Sequence, residues 1–135
     1  MLFVRGGGGG GTMSSSILIV DDEPSIREAL DAALGASHQL RMASSAEEAL
    51  ATPLEIASAV SVIFLDGALG PGLSGDQALG QLRRRFPQAA IVYIGALGAL
   101  KAPALRAAGV SLILPKPWSL ADLEAAARIG MPSKA

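Results

Sequence analysis

The chain has no cysteine, which excludes disulfides and thiolate metal sites. It has one tryptophan, one tyrosine, three phenylalanines and one histidine, so the core must come from Ala, Leu, Val and Ile. No apolar run approaches the ~18 residues that a membrane-spanning helix needs. The net charge of -1 lacks the basic excess of a nucleic-acid or membrane-surface protein. No secretory h-region is present either. Met1 to Arg5 is too short for one and runs straight into six glycines, Gly6 to Gly11. A cytoplasmic protein with neither nucleic-acid nor membrane partners is the expectation.

What is present is apolar and uniform. Half of the 135 residues are hydrophobic. That length suits one domain, which buries roughly two-thirds of its unfolded surface and needs no covalent staples. Residues 1–15 are expected to be a disordered Gly/Ser-rich tail. Met13 is a candidate true start, with residues 1–12 a tag or a misplaced start codon. A phosphate-cradling glycine loop would need a strand before it and a helix after it, and neither is read there. The folded domain is assigned to 16–130, with a short tail over 131–135.

From Ser16 onward two kinds of segment alternate. Apolar runs occur at Ile17–Val20, Leu40–Ala43, Val60–Leu65, Ile91–Ile94 and Val110–Leu114. Helical spacing fills the gaps. Pro24 to Leu34 opens on proline, sets Ile26, Leu30 and Leu34 four apart, and stops at Gly35. Ser45 with Glu48 reads as a capping box. A third helix runs from Ser74 to Phe86. Leu97 to Ala108 contains Pro103, so that helix is short or starts late. Ser119 with Asp122 opens the last one. Five strand–helix units predict an α/β protein with a parallel sheet and helices on both faces. Strands buried on both sides explain why ILIV and VIFL do not alternate.

Ligands of open parallel sheets bind at the carboxyl ends of the strands. In SILIVDDEPSIREAL the first strand ends in Asp21 and Asp22. In VIFLDG the third ends in Asp66, and in LILPKPW the fifth ends in Lys116. One sheet edge therefore gathers three carboxylates and an ammonium. Such carboxylates suit a hard, partly hydrated divalent cation, Mg²⁺ above all. Lysine adds a point charge for a phosphate-like oxygen. Together they can transfer a phosphoryl group to a carboxylate nucleophile, most of the work being charge neutralisation.

Three segments in order, ILIVDDEPSIREAL, VIFLDGALGPGLSG and AAGVSLILPKPW, resemble the receiver domain of bacterial two-component response regulators. The resemblance covers residues 16–130 and implies a doubly wound, flavodoxin-like sheet of five parallel strands in the order 2-1-3-4-5. It implies Asp66 as phosphoacceptor. Mg²⁺ would be held by Asp21, Asp22, Asp66 and the backbone carbonyl of Ala68. Lys116 would pair with the phosphoryl oxygens, and the Lys116–Pro117 bond is a cis candidate. A histidine kinase or phosphotransfer protein would be the donor. Output would go through a downstream protein or a homodimer, on the face of the fourth helix, fifth strand and fifth helix.

Two positions depart from that pattern. The family has Thr or Ser at the end of the fourth strand, where this chain has Gly95 in IVYIGALGAL. It has Tyr or Phe in the fifth strand, where this chain has Ile113. The phosphorylation parts are kept, whereas the relay from phosphate to surface has lost its usual residues.

Other features have plainer readings. Asp21 alone could cap the helix at Pro24. Arg83, Arg84 and Arg85 compensate a helix dipole on a solvated face. His38 is a surface residue, and Trp118 packs at a helix start. Ser74 is a cap and lacks a base that would make it a nucleophile. Three functions stay open: a stand-alone phosphoacceptor module that is not an enzyme beyond its own phosphorylation and dephosphorylation; a degenerate receiver that binds or dimerises constitutively; and a Mg²⁺-dependent phosphohydrolase. The last usually carries a second acid two residues after the nucleophile, where this chain has Ala68.

Overall fold

The computed structural model describes residues 3–5, 15–95, 102–115 and 118–129. Strands and helices alternate as the pattern predicts, except that two short helices stand between β3 and β4 where one was expected: β2 Ser16–Val20, α1 Pro24–Leu34, β3 Gln39–Ala43, α2 Ala46–Leu50, α3 Leu54–Ala57, β4 Val60–Asp66, α4 Gly75–Arg85, β5 Ala90–Ile94, α5 Ala102–Ala107, β6 Val110–Leu114 and α6 Leu120–Ala127. The five parallel strands lie in the order β3-β2-β4-β5-β6, which is the expected 2-1-3-4-5 in the numbering of the parallel strands alone. No helix among the described residues is long and apolar enough to cross a membrane.

Within the segment 1–15, expected as an unstructured tail, residues 3–5 form a sixth strand. β1, Phe3–Arg5, pairs antiparallel with β3, Val4 lying opposite Arg41. The outer edge of β3 carries backbone groups that would otherwise lack a ladder partner, and an extended segment satisfies them. A short edge strand of three residues leaves no periodicity to read.

Alternate side chains of the parallel strands feed two cores. Ile17, Ile19, Val62, Phe64, Val92 and Ile94 pack under α1 and α6 with Leu30, Leu34, Leu123 and Ala126. Leu18, Val20, Ile63, Leu65, Ile91 and Tyr93 face the helices α2 to α5. Every one of these strand residues is fully buried. Both faces are covered, so neither strand face needs polar residues.

The helix boundaries follow local chemistry. Ser74 and Gln77 close a capping box on α4, and Ser119 and Asp122 do so on α6. At α2 the box is only half made. Ser45 Oγ accepts from Glu48 N–H at 3.0 Å, but the Glu48 carboxylate accepts from the N–H of Ser44 instead. Pro53 then separates α2 from α3. Pro103 stands in the first turn of α5, where a missing N–H costs nothing.

The arginine run does more than face solvent. Arg83 donates to the carbonyls of Phe86 at 2.6 Å and Gly109 at 3.3 Å, and also to that of Ala89. Arg85 donates to the carbonyl of Thr52. Arg84 alone is exposed. Two of the three therefore tie α4 to neighbouring turns. His38 is half-buried rather than fully on the surface, close to Arg128 and Glu124.

Candidate functional site

The register of the sheet builds the site. Val20 on β2 lies opposite Leu65 on β4, so Asp21 and Asp66 emerge side by side just beyond them. Asp22 follows in the turn to α1. One carboxylate oxygen from each of Asp21, Asp22 and Asp66 lies within 4.8 Å of the others. Asp21 is completely buried, Asp66 is 5% exposed and Asp22 is half-buried.

Backbone N–H groups aim these acids. Asp21 Oδ1 accepts from Glu23 N–H at 2.9 Å. Asp66 Oδ1 accepts from Ala68 N–H at 2.9 Å. Asp21 is thus not the helix cap; Glu23 occupies that position and makes no side-chain cap bond. Arg27, on the first turn of α1, donates to the Asp21 carbonyl at 2.6 Å. It brings positive charge beside the acid cluster, and the sequence reading did not single it out. Its signal was a basic residue one turn into a helix that starts right after three acids.

Three carboxylates this close repel one another, and burial strengthens that repulsion. A divalent cation offsets it. The donors are all oxygen, partly shielded from water, and open on the solvent side at Asp22. That set fits Mg²⁺.

At the neighbouring strand, Asp66 lies opposite Ile94, and Gly95 follows. Gly95 has φ +103° and donates its N–H to the Leu114 carbonyl at 3.2 Å. A Cβ on Gly95 would stand 3.8 Å from Asp66 Oδ1. The missing hydroxyl is therefore accompanied by a backbone that L side chains rarely adopt. Ile113 is half-buried and packs against the core under α2 to α5. Tyr93 lies beside it in register, one strand inward. Lys116 and the Lys116–Pro117 bond lie outside the described residues. Trp118 packs at the start of α6 as expected, its indole N–H donating to the Leu114 carbonyl at 3.3 Å.

The sequence profile of the response regulator receiver domain matches residues 17–128. The chain belongs to the response regulator receiver domains. This receiver is 34% identical over 115 residues to the response regulator protein FleR of Pseudomonas aeruginosa. The match takes in 82% of this chain and 24% of FleR, so the receiver spans about a quarter of that relative's length. Among solved structures, a response regulator receiver domain protein from Clostridium thermocellum superposes with TM-score 0.77 at 27% identity, covering 87% of this chain and 94% of the other. A response regulator of Burkholderia pseudomallei, solved with a phosphorylated aspartic acid, calcium ion and citrate, gives TM-score 0.70 at 25% identity, over 85% and 67%. Receivers are modules of two-component signalling that work with kinases or phosphotransfer proteins and output domains, and typically bind Mg²⁺ at an acidic pocket. They are generally signalling modules rather than enzymes.

Proposed function

We propose that this receiver accepts a phosphoryl group on Asp66 and signals by protein contact. The observation that carries the reading is the convergence of Asp21, Asp22 and Asp66 within 4.8 Å at the carboxyl edge of the sheet. The Burkholderia neighbour, with its phosphorylated aspartic acid, supports it.

In the proposed step an Asp66 carboxylate oxygen attacks the phosphorus of a phosphohistidine on a histidine kinase or phosphotransfer protein. The P–O bond to Asp66 forms, the P–N bond breaks, and its electron pair stays on the imidazole. Asp21, Asp22, Asp66 and the Ala68 carbonyl would hold Mg²⁺, whose contribution is to neutralise the transferred oxygens. Ala68 N–H holds Asp66 Oδ1 and so fixes the carboxylate's orientation. Glu23 N–H does the same for Asp21. Lys116 is assigned to the phosphoryl oxygens on sequence grounds. Output is assigned to the α5–β6–α6 face, towards a downstream protein or a second copy.

The second reading, a constitutive binding module, is favoured by Gly95 and Ile113, which leave out the usual hydroxyl and aromatic. A phosphohydrolase finds no support, because Ala68 is not an acid. The deciding experiment is intact-mass analysis after incubation with acetyl phosphate and Mg²⁺. A gain of one phosphoryl group, lost in Asp66→Asn and in EDTA, is expected. No gain in the wild type, with beryllofluoride also unbound, would favour the binding module.

A further inference from the structure

Tyr93 is the chain's single tyrosine, and it is fully buried in a strand otherwise made of aliphatic residues. Its hydroxyl donates to Asp76 Oδ1 at 2.7 Å. Asp76 sits in the first turn of α4, which the Ser74–Gln77 box holds in place. The tyrosine thus reaches from β5, beneath the loop that follows Asp66, to the helix at that loop's far end.

The same hydroxyl sets the first residue of that loop. A Cβ on Gly67 would collide with the Tyr93 hydroxyl and ring, Cε2 alone lying 2.8 Å away. Only a glycine can rest on the phenol there. Gly67 is held from its other sides too. Its N–H donates to the Ile94 carbonyl at 3.4 Å, and its carbonyl accepts from Gly75 N–H at 3.2 Å. Gly67 lies directly between Asp66 and Ala68. Whatever fixes Gly67 fixes both the Asp66 carboxylate, bonded to Ala68 N–H, and the Ala68 backbone.

We infer that Tyr93 is a positioning residue for the phosphoacceptor loop, its hydroxyl, held by Asp76, acting as the stop that sets Gly67 and the groups on either side of it. This deepens the proposed function and rests on it. The groups that would ligate Mg²⁺ are aimed by partners that never touch the ion, and removing such partners costs metal affinity. A rigid phenol is well suited to this, having a fixed length and one hydrogen bond to fix its end. The chain keeps a hydroxyl at this corner one layer below the position where Gly95 has none.

The test compares the full chain as wild type, Tyr93→Phe, Asp76→Ala and Asp76→Asn. Mg²⁺ affinity is read by titration calorimetry with and without beryllofluoride. The phenol's ultraviolet absorption is followed in parallel, which is unambiguous with one tyrosine, Tyr93→Phe supplying the tryptophan background. Tyr93→Phe and Asp76→Ala are each expected to weaken Mg²⁺ binding about 10–100-fold. Their double variant is expected to lose no more than either alone. Asp76→Asn keeps an acceptor oxygen and is expected to lose clearly less than Asp76→Ala. In the wild type, the phenol band is expected to shift when Mg²⁺ and beryllofluoride bind. Equal affinity across all variants with an unmoved band overturns the positioning role and leaves the Asp66 reading intact. A wild type that binds neither Mg²⁺ nor beryllofluoride overturns that reading and the positioning role with it. If Tyr93→Phe does not fold, the two Asp76 variants and the wild-type band decide, since Asp76 is half-exposed on its helix.

Discussion

Gly95 faces Asp66 across the carboxyl edge of the sheet, with room for a methyl group 3.8 Å from Oδ1 but a φ of +103° that disfavours one. Restoring a hydroxyl here is therefore a backbone problem before it is a chemical one. Gly95→Ser is expected to cost on the order of 1–3 kcal/mol, the usual cost of holding an L residue in such a conformation. Gly95→Ala should cost the same, because the strain lies in φ and not in the added oxygen. Urea denaturation of both variants checks this. A serine variant as stable as the wild type would show that the backbone at 95 relaxes easily.

The acid cluster is expected to stabilise the fold only when a cation is bound. Mg²⁺ at a hundred times its Kd should add about 2.7 kcal/mol to unfolding free energy by mass action alone. Asp21→Asn keeps an oxygen for the Glu23 N–H and removes one charge from the trio. Its apoprotein should be more stable than wild type, since a repulsion is relieved, and Mg²⁺ should stabilise it far less. Thermal melts of both proteins in EDTA and in Mg²⁺ read the two effects separately. An apoprotein destabilised by Asp21→Asn would mean that the three charges are not in net repulsion.

Much of this was legible because the strands are simple. Runs such as Ile17–Val20 and Val62–Leu65 are apolar on both faces, and each is followed by an acid at the same sheet edge. Once the sheet is parallel, Asp21, Asp22 and Asp66 have to meet. The helix starts at Ser74 and Ser119 were carried by capping boxes that act within four residues, and that at Pro24 by proline in the first turn. What the sequence hid were contacts between distant elements. Nothing near Phe3 says that it pairs with Met42. Nothing near Tyr93 says that Asp76 accepts its hydrogen bond, although a glycine after the acceptor and a lone tyrosine among aliphatics were the two halves of that signal. The arginine run looked like a solvated helix end because its carbonyl partners, on Ala89, Gly109 and Thr52, come from other turns.

Those arginine contacts are testable as stability. Arg83 gathers three carbonyls, of Phe86, Ala89 and Gly109, and joins the end of α4 to the turn before β6. Arg83→Met keeps the aliphatic stem and takes the guanidinium donor from all three carbonyls, that of Phe86 keeping the Ala89 N–H, so a loss of roughly 2–4 kcal/mol is expected. Arg83→Lys should recover less than half, because a point ammonium cannot span three carbonyls as the planar fork does. The exposed Arg84 provides the control, with Arg84→Ala expected within about 0.5 kcal/mol of wild type. Chemical denaturation of the three variants measures this. Equal losses at 83 and 84 would make the effect one of charge alone.

The single histidine gives the fold a pH dependence of known sign. Burial, and then the positive charge of Arg128, hold the His38 imidazole below its ordinary 6.5, against an upward pull from Glu124. The folded protein therefore binds this proton less readily than the unfolded chain does. The contribution of His38 to stability is fully present above pH 6.5 and is lost as the pH falls through the lower folded-state value. His38 is partly exposed, so solvent screens the effect and the slope is shallow. His38→Gln should flatten the stability profile between about pH 5 and 8, where histidine is the side chain that titrates, and leave the high-pH plateau in place. Raising salt should shrink the Arg128 and Glu124 contributions but not the burial part. An unchanged slope in His38→Gln would show that His38 does not carry the acid sensitivity.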